Sequence, residues 1–269
     1  MKPSRLFLLA FLPAVSGCSR CAGPRVSAGS AAKVPFRLVS TFNTTGSGMG
    51  GAPVSGRFVL QRPRHLSPGE AAGVLLYFPD DAHAQADWDD AGRLRRLART
   101  GDRFKLYTVV FREPHGLTWA KGQVGENVKF VDDWLESDLF KSYNIDRRRI
   151  VFAGVGGGAD FAGQVFPVQT RFKYQGAAVV TCGGRPPESL MPVPPGLQVT
   201  DAMRTGFRYF FANPPDDPGV PPADVAKTVA YFQGLGFRVE SETAEHVGSG
   251  PCSVDAPGWL DRFLERLGR

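Results

Sequence analysis

From residue 36 onward the apolar positions follow two alternating rhythms. Residues 74–78 (Val-Leu-Leu-Tyr-Phe) form an unbroken apolar run closed by Pro79, the pattern of a strand buried on both faces. Segments 36–41, 57–60, 105–111, 149–153, 176–181, 208–212 and 237–240 also read as strands. Between them the period changes to that of a helix. Trp88, Ala91, Leu94 and Leu97 or Ala98 share one face of a helix over 88–100, with Gly101 as its stop. Val124, Val128, Val131, Leu135 and Leu139 step by four, three, four and four along another. A third helix is expected over 159–169. A fourth, over 222–235, has Pro222 near its start and Gly236 past its end. Trp259, Leu260, Phe263, Leu264 and Leu267 stripe a last one. Strands alternating with amphipathic helices predict an α/β fold, a mostly parallel central sheet with helices on both faces. No internal repeat is visible.

The chain has 269 residues, 42% of them hydrophobic and 22% charged, which is ordinary globular composition. Such totals exclude a porin-like barrel, a coiled coil and a multi-span membrane protein. Four cysteines are too few for a disulfide scaffold at this length. At the start, Lys2 and Arg5 precede an apolar run over 6–15, interrupted only by Pro13. That run is too short to cross a bilayer and has the length of a signal-peptide core. Val15-Ser16-Gly17-Cys18 follows and resembles the bacterial lipobox, in which the cysteine is acylated. An ordinary secretory signal with an incidental cysteine is the other reading. The lipobox implies a lipoprotein signal peptide over 1–17, and the small, polar residues 18–33 have the composition of a flexible tether. A folded domain over 34–269 would then stand close to a lipid bilayer, in the cell envelope of a bacterium.

Loss of 1–17 would remove two basic residues, lowering the net charge from +6 to +4, a weak indication of any partner. Arg93, Arg95, Arg96 and Arg99 share one predicted helix and read as a solvated face. Arg147, Arg148 and Arg149 precede a strand and read as a loop. Basic residues are not interleaved with aromatic ones, so no nucleic-acid partner is expected.

The sharpest local signal is Ile150-Val-Phe-Ala-Gly154-Val155-Gly156-Gly157-Gly158-Ala159, a strand turning into a helix through four glycines. A dinucleotide site would want an acid at the end of the next strand, and Val180-Thr181-Cys182-Gly183 supplies none. A nucleophile elbow, Gly-x-Ser-x-Gly, fits Gly154 and Gly158 but puts Gly156 at the serine position. It also wants strands before the turn, then an acid and a histidine after it; Asp217 and His246 come in that order.

Around this turn the chain resembles secreted feruloyl esterases and polyhydroxybutyrate depolymerases, which are α/β-hydrolases. Trp119, Asn127-Val-Lys-Phe-Val131 and Tyr143-Asn-Ile-Asp146-Arg147-Arg148-Arg149-Ile150 carry the likeness. Asp217-Pro-Gly-Val220-Pro221 looks like the segment with the family's triad acid, and His246 sits where its histidine would be. The resemblance implies a three-layer α/β-hydrolase sandwich. It also exposes two departures. Gly156 has no side chain to attack a carbonyl. Where the family has His-Gly, this chain has Pro79-Asp80: proline has no N–H to donate, and a carboxylate repels a developing oxyanion. Gly157 would remain as an oxyanion-side residue.

The expectation is therefore a remnant triad (Gly156, Asp217, His246) on an esterase-type domain without catalysis, acting in binding or as a scaffold. A small acyl or saccharide ligand in the old pocket, or an envelope protein, would be the partner. The alternative is an active carboxylic-ester hydrolase with an unrecognised nucleophile. Export favours a Cys182–Cys252 disulfide. Asp80, Asp81, His83, Asp216, Asp217 and His246 converge on one sheet edge, but without metal-ligand spacing, so neither a metal nor a cofactor is expected.

Overall fold

The computed structural model describes residues 54–80, 90–116, 118–247 and 254–268, together with the backbone of strand β1 (Arg37–Asn43). All belong to the compact unit Val34–Arg269. Cys18, Cys21, Asp81, His83, Trp88 and Cys252 lie outside the described residues, as do the expected signal and tether.

Eight strands form one sheet in the order β1-β2-β4-β3-β5-β6-β7-β8. After β1 they are β2 (Ser55–Gln61), β3 (Ala72–Phe78), β4 (Leu106–Arg112), β5 (Ile145–Val155), β6 (Gly176–Thr181), β7 (Phe207–Asn213) and β8 (Arg238–Thr243). β2 runs antiparallel to both its neighbours, and every pairing from β4 to β8 is parallel. The chain winds outward from β3 to β4, then returns past β3 to build β5 to β8. The order reverses between β3 and β5, the place where open α/β sheets form their sites.

Alternation along the strands sorts the core into two layers. Val74, Leu76 and Phe78 of β3 face α2 (Val124–Trp134), α3 (Gly157–Asp160, continued to Gln169) and α4 (Pro222–Gly234). Leu75 and Tyr77 face α1 (Ala91–Phe104) and α5 (Ala256–Leu267). Burial on both faces is why β3 reads as an unbroken apolar run.

Three details differ from the sequence expectation. Gly101 does not stop α1; it lies inside the helix, where a Cβ would stand 2.8 Å from the Leu106 carbonyl oxygen. The helix ends instead at Lys105, held at φ 53°. Arg147, Arg148 and Arg149 are not a loop. They extend β5, whose pairing to β3 shifts from Ala72↔Ile145 to Val74↔Ile150, a bulge that leaves these arginines exposed. After α2 a wider π-helical turn, Leu135–Leu139, keeps both leucines buried although the apolar steps of four would rotate them off an α-helical stripe.

Candidate functional site

β5 ends at Val155, and the helix α3 starts at Gly157. Gly156 makes the turn between them at φ 57°, ψ −126°, a conformation costly for any residue with a Cβ. Its N–H donates to the Thr181 carbonyl at 3.0 Å, and its own carbonyl accepts from the Asp160 N–H at 3.0 Å. The flanking glycines are packed out. A Cβ on Gly154 would lie 2.7 Å from the Ala159 nitrogen, and one on Gly158 would lie 2.7 Å from the Phe78 carbonyl carbon. Close approach of β3, β5 and α3 therefore dictates Gly-x-x-x-Gly, whatever stands in the middle.

Asp80 occupies the space above the middle position. A Cβ built on Gly156 would overlap the Asp80 Oδ1 and lie 2.8 Å from its Cγ. The side chain from the end of β3 thus fills the volume a residue 156 side chain would need. Pro79, beside it, is buried and brings no N–H; Gly157 is buried in the first turn of α3.

The two later residues are placed differently from expectation. His246 bonds Asp216, not Asp217: its Nε2 lies 2.7 Å from the Asp216 Oδ1. This hydrogen bond holds the Asp216 carboxyl below the usual aspartate range. Asp217 turns inward, where its Oδ1 accepts from the Gly219 N–H at 2.8 Å, closing a turn on itself. Its Oδ2 is buried without a hydrogen bond among the described residues. A serine-type triad needs histidine Nε2 free to face the nucleophile, and here Asp216 occupies it. Cys182, at φ 51° just beyond β6, is disulfide-bonded; Cys252, its expected partner, lies outside the described residues.

Sequence reasoning missed Asp160. It is fully buried in α3, one turn past Gly156. Its Oδ1 accepts from the Gly184 N–H at 2.6 Å and the Arg185 N–H at 3.1 Å, while its Oδ2 pairs with the Arg185 Nη1 at 2.7 Å. Arg185 Nη2 in turn donates to the Gly219 carbonyl at 3.1 Å. One carboxylate thus ties the helix after Gly156 to the loop after β6 and to the turn carrying Asp217. Burial pushes its pKa up to about 6 against the opposing pull of Arg185 and the two amides. The Trp119–Asn127 pair has a similar structural use. Asn127 Nδ2 donates to the Thr118 and Trp119 carbonyls at 3.1 and 3.2 Å, and the Trp119 ring stacks edge-on against Phe78 at 4.9 Å.

No protein-family model matches the chain, and no curated protein matches it. Solved structures do. A thermostable esterase superposes with a TM-score of 0.59 at 15% identity, over 87% of this chain and 62% of its own. An acylaminoacyl peptidase from Pyrococcus horikoshii does so at 0.55 and 13%, over 87% and 42%. A carboxylesterase from Lactobacillus plantarum follows at 0.53 and 15%, over 86% and 98%. This chain spans less than two thirds of the first two. The likeness is one of fold: the chain has the α/β-hydrolase fold of esterases and related hydrolases.

Proposed function

We propose that this chain is an exported lipoprotein, anchored in a bilayer through an acylated Cys18, whose esterase-type domain is catalytically inactive. It acts as a binding or scaffold protein at the bacterial cell envelope, with a small acyl or saccharide ligand or an envelope protein as its partner. One observation carries the loss of catalysis: the elbow residue is Gly156, and the Asp80 carboxylate fills the space its side chain would use. A carboxylate there would also oppose negative charge developing on a substrate oxygen. The Asp216–His246 pair supports the same reading, since it engages the nitrogen a triad needs. The lipid anchor rests on the basic start, the ten-residue apolar run and Val15-Ser16-Gly17-Cys18.

Treatment of the full chain with a fluorophosphonate, followed by intact mass, tests the inactive elbow. The mass should stay unchanged. A single serine adduct that disappears in His246→Ala would overturn the proposal in favour of an active ester hydrolase.

A further inference from the structure

Gly156 lies at the carboxyl edge of the sheet, and a separate cavity opens at the opposite, amino edge. Helices α1 and α5 lie side by side on one face of the sheet, tied by Arg96–Asp255, Thr100–Asp261 and Arg103–Glu265. They run against the parallel strands, so both end at the amino edge, α1 at Phe104 and α5 at Leu267. Beyond their last turns a cavity of about 440 Å³ remains, within the range that takes small ligands. Leu106, Val151 and Leu264 are its buried apolar floor, and Leu267 is a half-buried wall. Arg148, Arg149 and Arg208 stand at its rim.

Two of the arginines have a structural use. Arg149 Nη2 donates to the Phe104 carbonyl at 2.8 Å, which caps the carboxyl end of α1. Arg148 Nε lies 3.4 Å from the Asp146 Oδ1. Arg208 has neither. It continues the row of Phe210 and Ala212, which packs against α5, and is half-buried there without an ion pair to a described residue. Its strand neighbours in register are Ala177 and another cation, Arg238, which is engaged with Glu240. An arginine stem that covers apolar surface while its head reaches water explains Arg208 alone. It does not explain the open apolar floor beside it. Three guanidinium charges stand against Asp146 and two helix carboxyl ends of about half a negative charge each, which leaves about one positive charge. The acids outside the described residues are Asp81, Asp87 and Asp89. Their segment runs between Asp80, at the end of β3, and Asp90, the N-cap of α1; the 14 residues of α1, about 21 Å, separate that cap from the cavity.

We propose that this cavity binds a monocarboxylate with a short apolar tail, the tail on the leucines and the carboxylate on Arg208. A guanidinium fork matches a carboxylate bidentately, and one negative charge balances the rim. The site shares no residue with the Gly156 turn and stands or falls apart from the inactive elbow and the lipid anchor.

Calorimetric titration of the full chain with octanoate, acetate and octylammonium at matched ionic strength tests it. Octanoate should bind saturably at one site; acetate lacks the tail and octylammonium the charge, and each should bind at least about tenfold more weakly. Arg208→Gln should weaken octanoate by at least about tenfold. Leu267→Trp, which fills the cavity from the half-buried end of α5, should abolish binding while the unliganded Tm stays within a few degrees of wild type. Octanoate at about a hundred times its Kd should raise the wild-type Tm by roughly 5 °C, a readout that needs no variant. Fluorophosphonate labelling reads the elbow separately, so its outcome leaves this one unaffected. No binding of octanoate, equal binding of octylammonium, or undiminished binding by either variant would overturn the proposal.

Discussion

Replacing Asp160 by alanine removes the acceptor shared by two backbone amides and a guanidinium. Gly184 is buried, so its N–H would lose a partner with no water to replace it, a cost of about 1–3 kcal/mol. The Arg185 amide adds a similar or smaller amount. The guanidinium, whose side chain is 27% exposed, turns partly to water, which keeps its own loss modest. Together these make about 3–5 kcal/mol, the range for breaking a buried pair from one side. Urea unfolding followed by far-UV circular dichroism should show the midpoint fall with the slope unchanged. Asp160→Asn keeps an acceptor for the amides and should cost less. It also carries a pH signature. The folded pKa of about 6 lies above that of the unfolded chain, so protonation favours the folded state. This contribution is fully present below the unfolded pKa and is lost as pH rises through about 6. Lowering the pH from 7 to 5 should therefore stabilise the wild type by about 1 kcal/mol relative to Asp160→Asn. A loss under about 1 kcal/mol in Asp160→Ala, or a wild-type advantage that shrinks at pH 5, would refute the role assigned to this carboxylate.

Gly156→Ser should destabilise the chain by about 2–4 kcal/mol, through its positive φ and its overlap with Asp80. Adding Asp80→Ala should recover about 1–2 kcal/mol of that in a double-mutant cycle, and zero coupling would show that Asp80 does not fill the space. Neither variant should hydrolyse short-chain esters, because Pro79 offers no amide and His246 Nε2 stays with Asp216. In a carboxyl-carbon NMR titration Asp216 should titrate below a free aspartate and move back up in His246→Ala. The native chain should partition into detergent from membranes of the producing cell, and Cys18→Ser should abolish this; an unchanged partition would argue against acylation.

The eight strands and five long helices are legible in the sequence because most are buried on a regular period. What escapes depends on contacts between segments distant in the chain. Gly101 looks like a helix stop until β4 is seen to pack against it. The short helices Pro187–Leu190 and Asp201–Gly206 lie in or beside a proline-rich stretch with too few positions to show a period. Gly156 is legible as a missing nucleophile from its spacing alone, but the entry of Asp80 into its space is not, since the two are 76 residues apart. Asp216 and Asp217 are neighbours in one Pro-Pro-Asp-Asp-Pro-Gly turn, and only the turn decides which reaches His246. Asp160 looks like any acid in a first helical turn. A partner across the loop after β6 makes it a buried tie.

The central claim is that the elbow has no nucleophile and no histidine free to serve one. Hydrolysis of a short-chain nitrophenyl ester and a feruloyl ester by the purified full chain, measured beside His246→Ala, tests it most directly. Both proteins should stay at the buffer rate. Turnover by the wild type that His246→Ala abolishes would contradict it.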